Sequence, residues 1–207
     1  MSSFTQYPIN GKLYTRVTHI LKATEPPAAK KRLSAWKTRV GEAESQRKSE
    51  EATTRGTALH SMCEAHLRGH DVVCTNDLAL PYWQSIRAAL DGITDVIALE
   101  TRVHHETLNY AGSFDCFASY NGIANTVIDF KTAAKPKRQE WITDYFIQCA
   151  AYAGALANQY QYPVNQAAVI IALPDQPCQK FVLTKDEMLY YWELWLRRLE
   201  LFGRIVP

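Results

Sequence analysis

The chain has 207 residues, 47% of them hydrophobic, which is enough apolar material for one large domain with its own core. A formal net charge of +2 does not by its bulk announce a nucleic-acid binder, and no apolar run approaches membrane-spanning length, so neither a membrane span nor secretion is expected. Five scattered cysteines, Cys63, Cys74, Cys116, Cys149 and Cys178, form no C-x-x-C pair and predict reduced thiols in a cytoplasmic setting.

In chain order, residues 1–15 read as irregular, with a turn at Asn10-Gly11. Residues 14–21 (YTRVTHIL) form a short apolar segment of undecided type. Pro26-Pro27 opens a helix, because proline is tolerated in a first turn. It carries Ala28, Leu33, Trp36 and Val40 among basic residues, and Gly41 interrupts it. Charge concentrates here: residues 30–55 hold eight basic and four acidic side chains, +4 locally, which leaves −2 for the rest. Residues 42–54 are almost wholly polar, which fits a solvated helix or loop; the functional reading is a mobile basic arm over a nucleic-acid path.

Arg55-Gly56-Thr57-Ala58-Leu59-His60 opens the next helix, with Leu59, Met62, Cys63 and Leu67 as its apolar stripe. His60 lies beside that stripe, where a lone histidine is ordinarily a hydrogen-bonded structural residue. A helix over residues 78–92 turns Tyr82, Trp83, Ile86 and Leu90 inward, and a strand over residues 96–103 contains Glu100.

Residues 112–131 (GSFDCFASYNGIANTVIDFK) read as a β-hairpin about Asn121-Gly122. Alternation along a strand puts Ser113, Asp115 and Phe117 on one face, and Asp129 and Lys131 on one face about 6–7 Å apart. Pairing the two runs brings Asp115 toward Asp129. Two carboxylates converging with one lysine suggest a cation between them. Taken alone, D-x-K is more often an exposed ion pair.

Residues 133–138 (AAKPKR) form a basic loop that includes Lys135 and Lys137. A helix over residues 141–160 presents Tyr145, Phe146, Cys149, Tyr152, Ala153 and Leu156, with Gln148 one turn from Tyr152. Residues 166–173 read as a buried strand and 178–183 as its neighbour. Thr184 to Glu187 is a capping box for a last helix bearing Met188, Tyr191, Trp195, Leu199 and Phe202. The order αα-β-β-β-α-β-β-α predicts an α/β or α+β domain, a mixed sheet flanked by helices.

Gly112-Ser-Phe-Asp115, then Asp129-Phe-Lys131, then Gln148-x-x-x-Tyr152, preceded by Gly56-Thr-Ala-Leu-His60 and Glu100, resembles the PD-(D/E)XK nucleases. Within them the chain is similar to the RecB-like exonuclease branch, which has mitochondrial and phage members. The likeness covers residues 55–172 and, more weakly, residues 14–21. Asp129 stands at the position where glutamate is commoner, and the cysteines do not match the iron–sulfur arrangement of some relatives, so no cluster is expected.

The resemblance implies a restriction-endonuclease-like core in a single domain over residues 1–207, with residues 26–55 as a helical arm or arch. It implies a Mg²⁺- or Mn²⁺-dependent deoxyribonuclease with two ions, acting as an exonuclease on single-stranded DNA in a bacterial or phage-infected cytoplasm. Replication or recombination proteins are the candidate partners. Asp115 and Asp129 would be shared metal ligands, completed by the Phe130 carbonyl, and His60 would ligate the second ion. Lys131 would act on the attacking water and the phosphate. Glu100 would touch a metal-bound water or pair with Arg102 or Arg55. Gln148, Tyr152, Trp36, Arg55, Lys135 and Lys137 would meet the DNA. The alternatives are a structure-selective endonuclease at the same site and a non-catalytic nucleic-acid-binding module.

Overall fold

The computed structural model describes residues 5–205, and one seven-stranded mixed sheet organises it. Strands β1 (Gln6–Ile9) and β2 (Lys12–Arg16) form an antiparallel hairpin. The expected turn is there, with Asn10 and Gly11 both at positive φ as a two-residue hairpin turn requires. The expectation of irregular chain around it is corrected for residues 6–9 and 12–15; residues 1–4 lie outside the described residues. Pro8 is compatible with β1 because β1 is an edge strand and needs no second partner. The undecided segment at 14–21 splits between the end of β2 and helix α1 (Val17–Ala23).

Helix α2 (Pro27–Val40) starts at the predicted proline and ends at Gly41, whose φ is +86°. Helix α3 then runs unbroken from Glu42 to Leu67. The predicted start of a new helix at Arg55 is therefore corrected: the charged run and the His60 segment are one helix of about 39 Å. Ion pairs spaced three and four residues apart, Glu44–Arg47, Arg47–Glu51 and Glu44–Lys48, support its polar half.

Helix α4 (Leu80–Leu90) follows, and then strands β3 (Ile93–His105), β4 (Tyr110–Tyr120) and β5 (Ile123–Thr132). Asn121 and Gly122 turn β4 into β5 as predicted, both at positive φ. Helix α5 (Thr143–Tyr160) crosses over from β5 to β6 (Gln166–Ala172), parallel partners, and β7 (Gln179–Thr184) adds antiparallel to β6. Helix α6 (Lys185–Ile205) opens on the predicted capping box: Glu187 Oε2 accepts the Thr184 backbone N–H at 2.8 Å.

The core lies on both faces of the sheet. One face packs Val103, Phe117, Val127 and Val169 against α1, α5 and α6; the other packs Cys116, Ile128, Phe130 and Ile170 against α3 and α4. The hairpin of α2 and α3 thus has one leg rooted through α1 on the first face and the other rooted on the second. No described helix is long and apolar enough to cross a membrane.

Candidate active site

Strand β4 has one edge paired with β3 along its length. Its other edge is shared: Tyr110 and Ala111 pair with β2, while the pairing with β5 begins only at Cys116. Residues 112–115 lie in the fork between them. Asp115 stands at its base, buried, and its Oδ2 accepts the backbone N–H of Phe130 at 2.6 Å. A carboxylate there does the work of the strand carbonyl that the fork takes away. Gly112 opens the fork. A Cβ on it would overlap the Tyr152 ring, so that ring fills the gap from α5, and Tyr152 accepts a hydrogen bond from Gln148 at 2.8 Å.

His60 enters from α3 on the other face. Its Nε2 lies 2.8 Å from the Phe130 carbonyl, which can only accept, so this nitrogen carries the proton. Nδ1 then faces Asp115 Oδ1 at 3.5 Å and Glu100 Oε1 at 3.6 Å. One donor atom from each of His60, Glu100 and Asp115 falls within 4.8 Å of the others. Glu100 reaches this point from a left-handed backbone, φ +47°, in the middle of β3. Such a conformation costs on the order of 1–3 kcal/mol in a non-glycine residue and persists where the surroundings impose it.

Asp129 and Lys131 share a face and form an ion pair. Neither is on a solvent face: Asp129 is 1% exposed and the Lys131 side chain 19%. Lys131 reaches one Asp129 oxygen, Oδ2, while Oδ1 is buried with no hydrogen-bond donor among the described residues. Burial pushes the Asp129 carboxyl up to about 6, with Lys131 opposing and Asp115 adding to the rise. Burial works against the Lys131 ammonium, but Asp129 and Asp115 outweigh it and hold the lysine charged, above its ordinary value. Burial likewise opposes the His60 imidazolium, yet the Asp115 charge and the hydrogen bond to Glu100 push it up to about 9.

The donor set fits a divalent cation. Carboxylate oxygens with one imidazole suit Mg²⁺ or Mn²⁺, and a buried carboxylate oxygen without a donor, Asp129 Oδ1, is costly unless something else binds it. An opening of about 450 Å³, lined by Gly56, Thr57, His60, Ser61, Glu64 and Glu100, leads in from solvent.

The other predicted residues distribute unevenly. Gln148 is half-buried beside the site, and Tyr152 is 2% exposed, with its ring against Gly112. Arg55 stacks on Tyr82 and reaches Thr132 Oγ1 at 3.4 Å, and it does not pair with Glu100. Lys135 is exposed, while the Lys137 backbone is fastened to the Gln179 side chain. Trp36 is half-buried on α2. Sequence reasoning missed Tyr145, whose ring lies 5.3 Å from Lys131 Nζ. Its place in the helix stripe made it look like core alone.

No family model matches the chain. It is 31% identical over 204 residues to the human protein mitochondrial genome maintenance exonuclease 1, covering 93% of this chain and 59% of that one. The protein of the same name from Xenopus tropicalis is 34% identical over 196 residues, 89% of this chain and 56% of its own. The chain therefore spans less than two thirds of the length of these relatives. A crystal structure of a putative exonuclease from Eubacterium rectale superposes with a TM-score of 0.48 at 15% identity, over 75% of this chain and 66% of that one, too loose a likeness to argue from. The motif order, the mixed sheet and these relatives together support assignment of the chain to the RecB-like exonucleases of the PD-(D/E)XK nucleases.

Proposed function

We propose that the chain is a divalent-metal-dependent deoxyribonuclease that hydrolyses phosphodiester bonds from the ends of single-stranded DNA. The observation that carries this reading is the buried Asp129 carboxylate, its Oδ1 without a donor and its Oδ2 paired with a charged Lys131, together with an Asp115 placed by the fork. A binding module has no physical need for that costly grouping. The similarity to proteins named exonucleases agrees with it.

His60, Glu100 and Asp115 would hold one ion, and Asp115 with Asp129 the other, the Phe130 carbonyl offering its remaining lone pair. Such ions neutralise phosphate charge and make bound water acidic enough to supply the nucleophile. The chain's own residues do the rest. Lys131, held protonated, donates hydrogen bonds to the attacking water and to a phosphate oxygen, rather than accepting a proton. His60 donates Nε2–H to the Phe130 carbonyl, which fixes the ring and turns Nδ1 toward the carboxylates. Tyr152 keeps the fork open at Gly112. Residues 26–55 would form an arch over the strand, since their two legs are rooted on opposite faces of the sheet.

End-labelled single-stranded DNA incubated with Mg²⁺ or Mn²⁺, with and without chelator, tests the reading. Cleavage that needs the metal and vanishes in Asp129→Asn is expected. A chain that binds the strand with metal present and leaves it uncut would instead be the binding module.

A further inference from the structure

A second group of charges lies on β2 and β3, the two strands that flank the Asp115 strand β4. Arg16, at the end of β2, and Arg102, on β3, both stack on Tyr7 of β1, each guanidinium carbon 4.1 Å from the ring centroid. Register places them together: Arg16 is paired with Ala111 of β4, and Arg102 with Ser113 two residues on. Neither arginine forms an ion pair or a side-chain hydrogen bond among the described residues, and Arg16 Nε is buried without an acceptor. The nearby Glu106 is already taken by Lys12, Tyr14 and His104. Two guanidiniums gathered on one ring repel each other, and the ring alone does not neutralise either.

Their position gives the pair a role. Arg102 is two residues from Glu100, about 6–7 Å along β3, and Ser113 is two residues from Asp115 along β4. Arg102 therefore stands one strand step from Glu100, and Arg16, opposite Ala111, stands four residues from Asp115 at the open end of the fork. Planar guanidiniums with free forks match phosphate oxygens in geometry and charge.

We propose that Arg16 and Arg102, held by Tyr7, form a phosphate subsite that grips an internal phosphodiester next to the scissile one. This rests on the nuclease reading for its ligand and adds to it the direction in which the strand leaves the metals: toward β1 and β2, away from the β5–β6 side. Tyr7 is a positioning residue here, since it orders both side chains before the strand arrives.

The test measures equilibrium binding of a short oligothymidylate by the Asp129→Asn chain, alone and with Arg102→Ala or Arg102→Lys added. Arg102 is exposed, so its loss should leave the melting temperature where it was. Arg102→Ala is expected to weaken binding about tenfold and to flatten the dependence of log affinity on log salt by about 0.7, the increment for one single-strand phosphate. Arg102→Lys should restore the salt slope and only part of the affinity. Replacing one linkage at a time by a neutral methylphosphonate locates the contact: one internal position should weaken the parent chain and have no effect once Arg102 is alanine. An unchanged slope in Arg102→Ala, or sensitivity only to removal of a terminal phosphate, overturns the subsite. Because the readout is binding, a chain that never cuts DNA yet shows this coupling would refute the nuclease reading and keep the subsite.

Discussion

Asp115 holds the N–H of Phe130 at 2.6 Å, at the point where β4 and β5 stop pairing. One carboxylate oxygen is spent on the backbone, and the other faces His60. The two duties separate by substitution. Asp115→Asn keeps an oxygen for the Phe130 N–H and should stay folded while losing nuclease activity by a thousandfold or so, about 4 kcal/mol of transition-state stabilisation. Asp115→Leu orphans a buried N–H and should in addition lose roughly 1–3 kcal/mol of stability in denaturant unfolding. Equal stability of the two variants would remove Asp115 from the fork.

Lys131→Ala should reduce kcat by about 10²–10⁴ with metal affinity nearly unchanged, because the lysine is assigned to the water and phosphate. Titration of Mn²⁺ by calorimetry, beside single-turnover cleavage, gives both quantities. A lost metal site with intact chemistry at saturating metal would reverse the assignment.

Stability should depend on pH through His60. Its folded value of about 9 lies above the ordinary 6.5, so its contribution is complete below about pH 6.5 and disappears as the pH rises through 9. The contribution is up to about 3 kcal/mol. Asp129 acts in the opposite region: raised to about 6, it favours the folded state least once ionised, so this term weakens the chain between about pH 4 and 6. Urea unfolding in chelator at pH 6.5 and 9.5 measures the first effect, and His60→Gln should erase it.

Gly112→Ala should be among the most damaging small substitutions in the chain, since the added methyl overlaps the Tyr152 ring. A loss of about 1–3 kcal/mol is expected from such overpacking. Tyr152→Leu should rescue part of it, and a double-mutant cycle over the pair reads the coupling. Simple additivity would mean that the ring does not fill the fork.

If residues 26–55 close over the strand, free ends are required. A linear single strand should be degraded and a closed circle of the same sequence spared. Comparable rates on both would favour the endonuclease reading. Deletion of residues 42–51 should then weaken binding or end-dependence.

Much of the site was legible because strand parity is strict. Asp129 and Lys131 had to share a face, and Asn121-Gly122 fixed the hairpin that brings Asp115 opposite. The fork itself was not legible, because it depends on β2 and β5 sharing one edge of β4, a matter of sheet order. For the same reason the meeting of Tyr7, Arg16 and Arg102 across distant parts of the chain gave no local signal. The N-terminal hairpin was missed although its turn was seen: Pro8 and the polar residues around it weaken the alternation. The continuity of α3 was hidden by the absence of an apolar stripe in its first half, where charge pairs a turn apart take over that role.

That continuity has a mechanical meaning. Two helices jointed at Arg55 would let the outer segment swing while His60 stayed in place. A single helix makes the tip near Glu42 and the imidazole two points on one rod, about 27 Å apart along its axis. A tilt of a few degrees that is invisible at the histidine becomes a displacement of a couple of ångströms at the far end. Conversely, anything that clamps the far end restrains the angle at which Nδ1 meets its carboxylates. Only Gly56, the one helical residue here without a side chain, softens the rod, and it lies a single turn from His60.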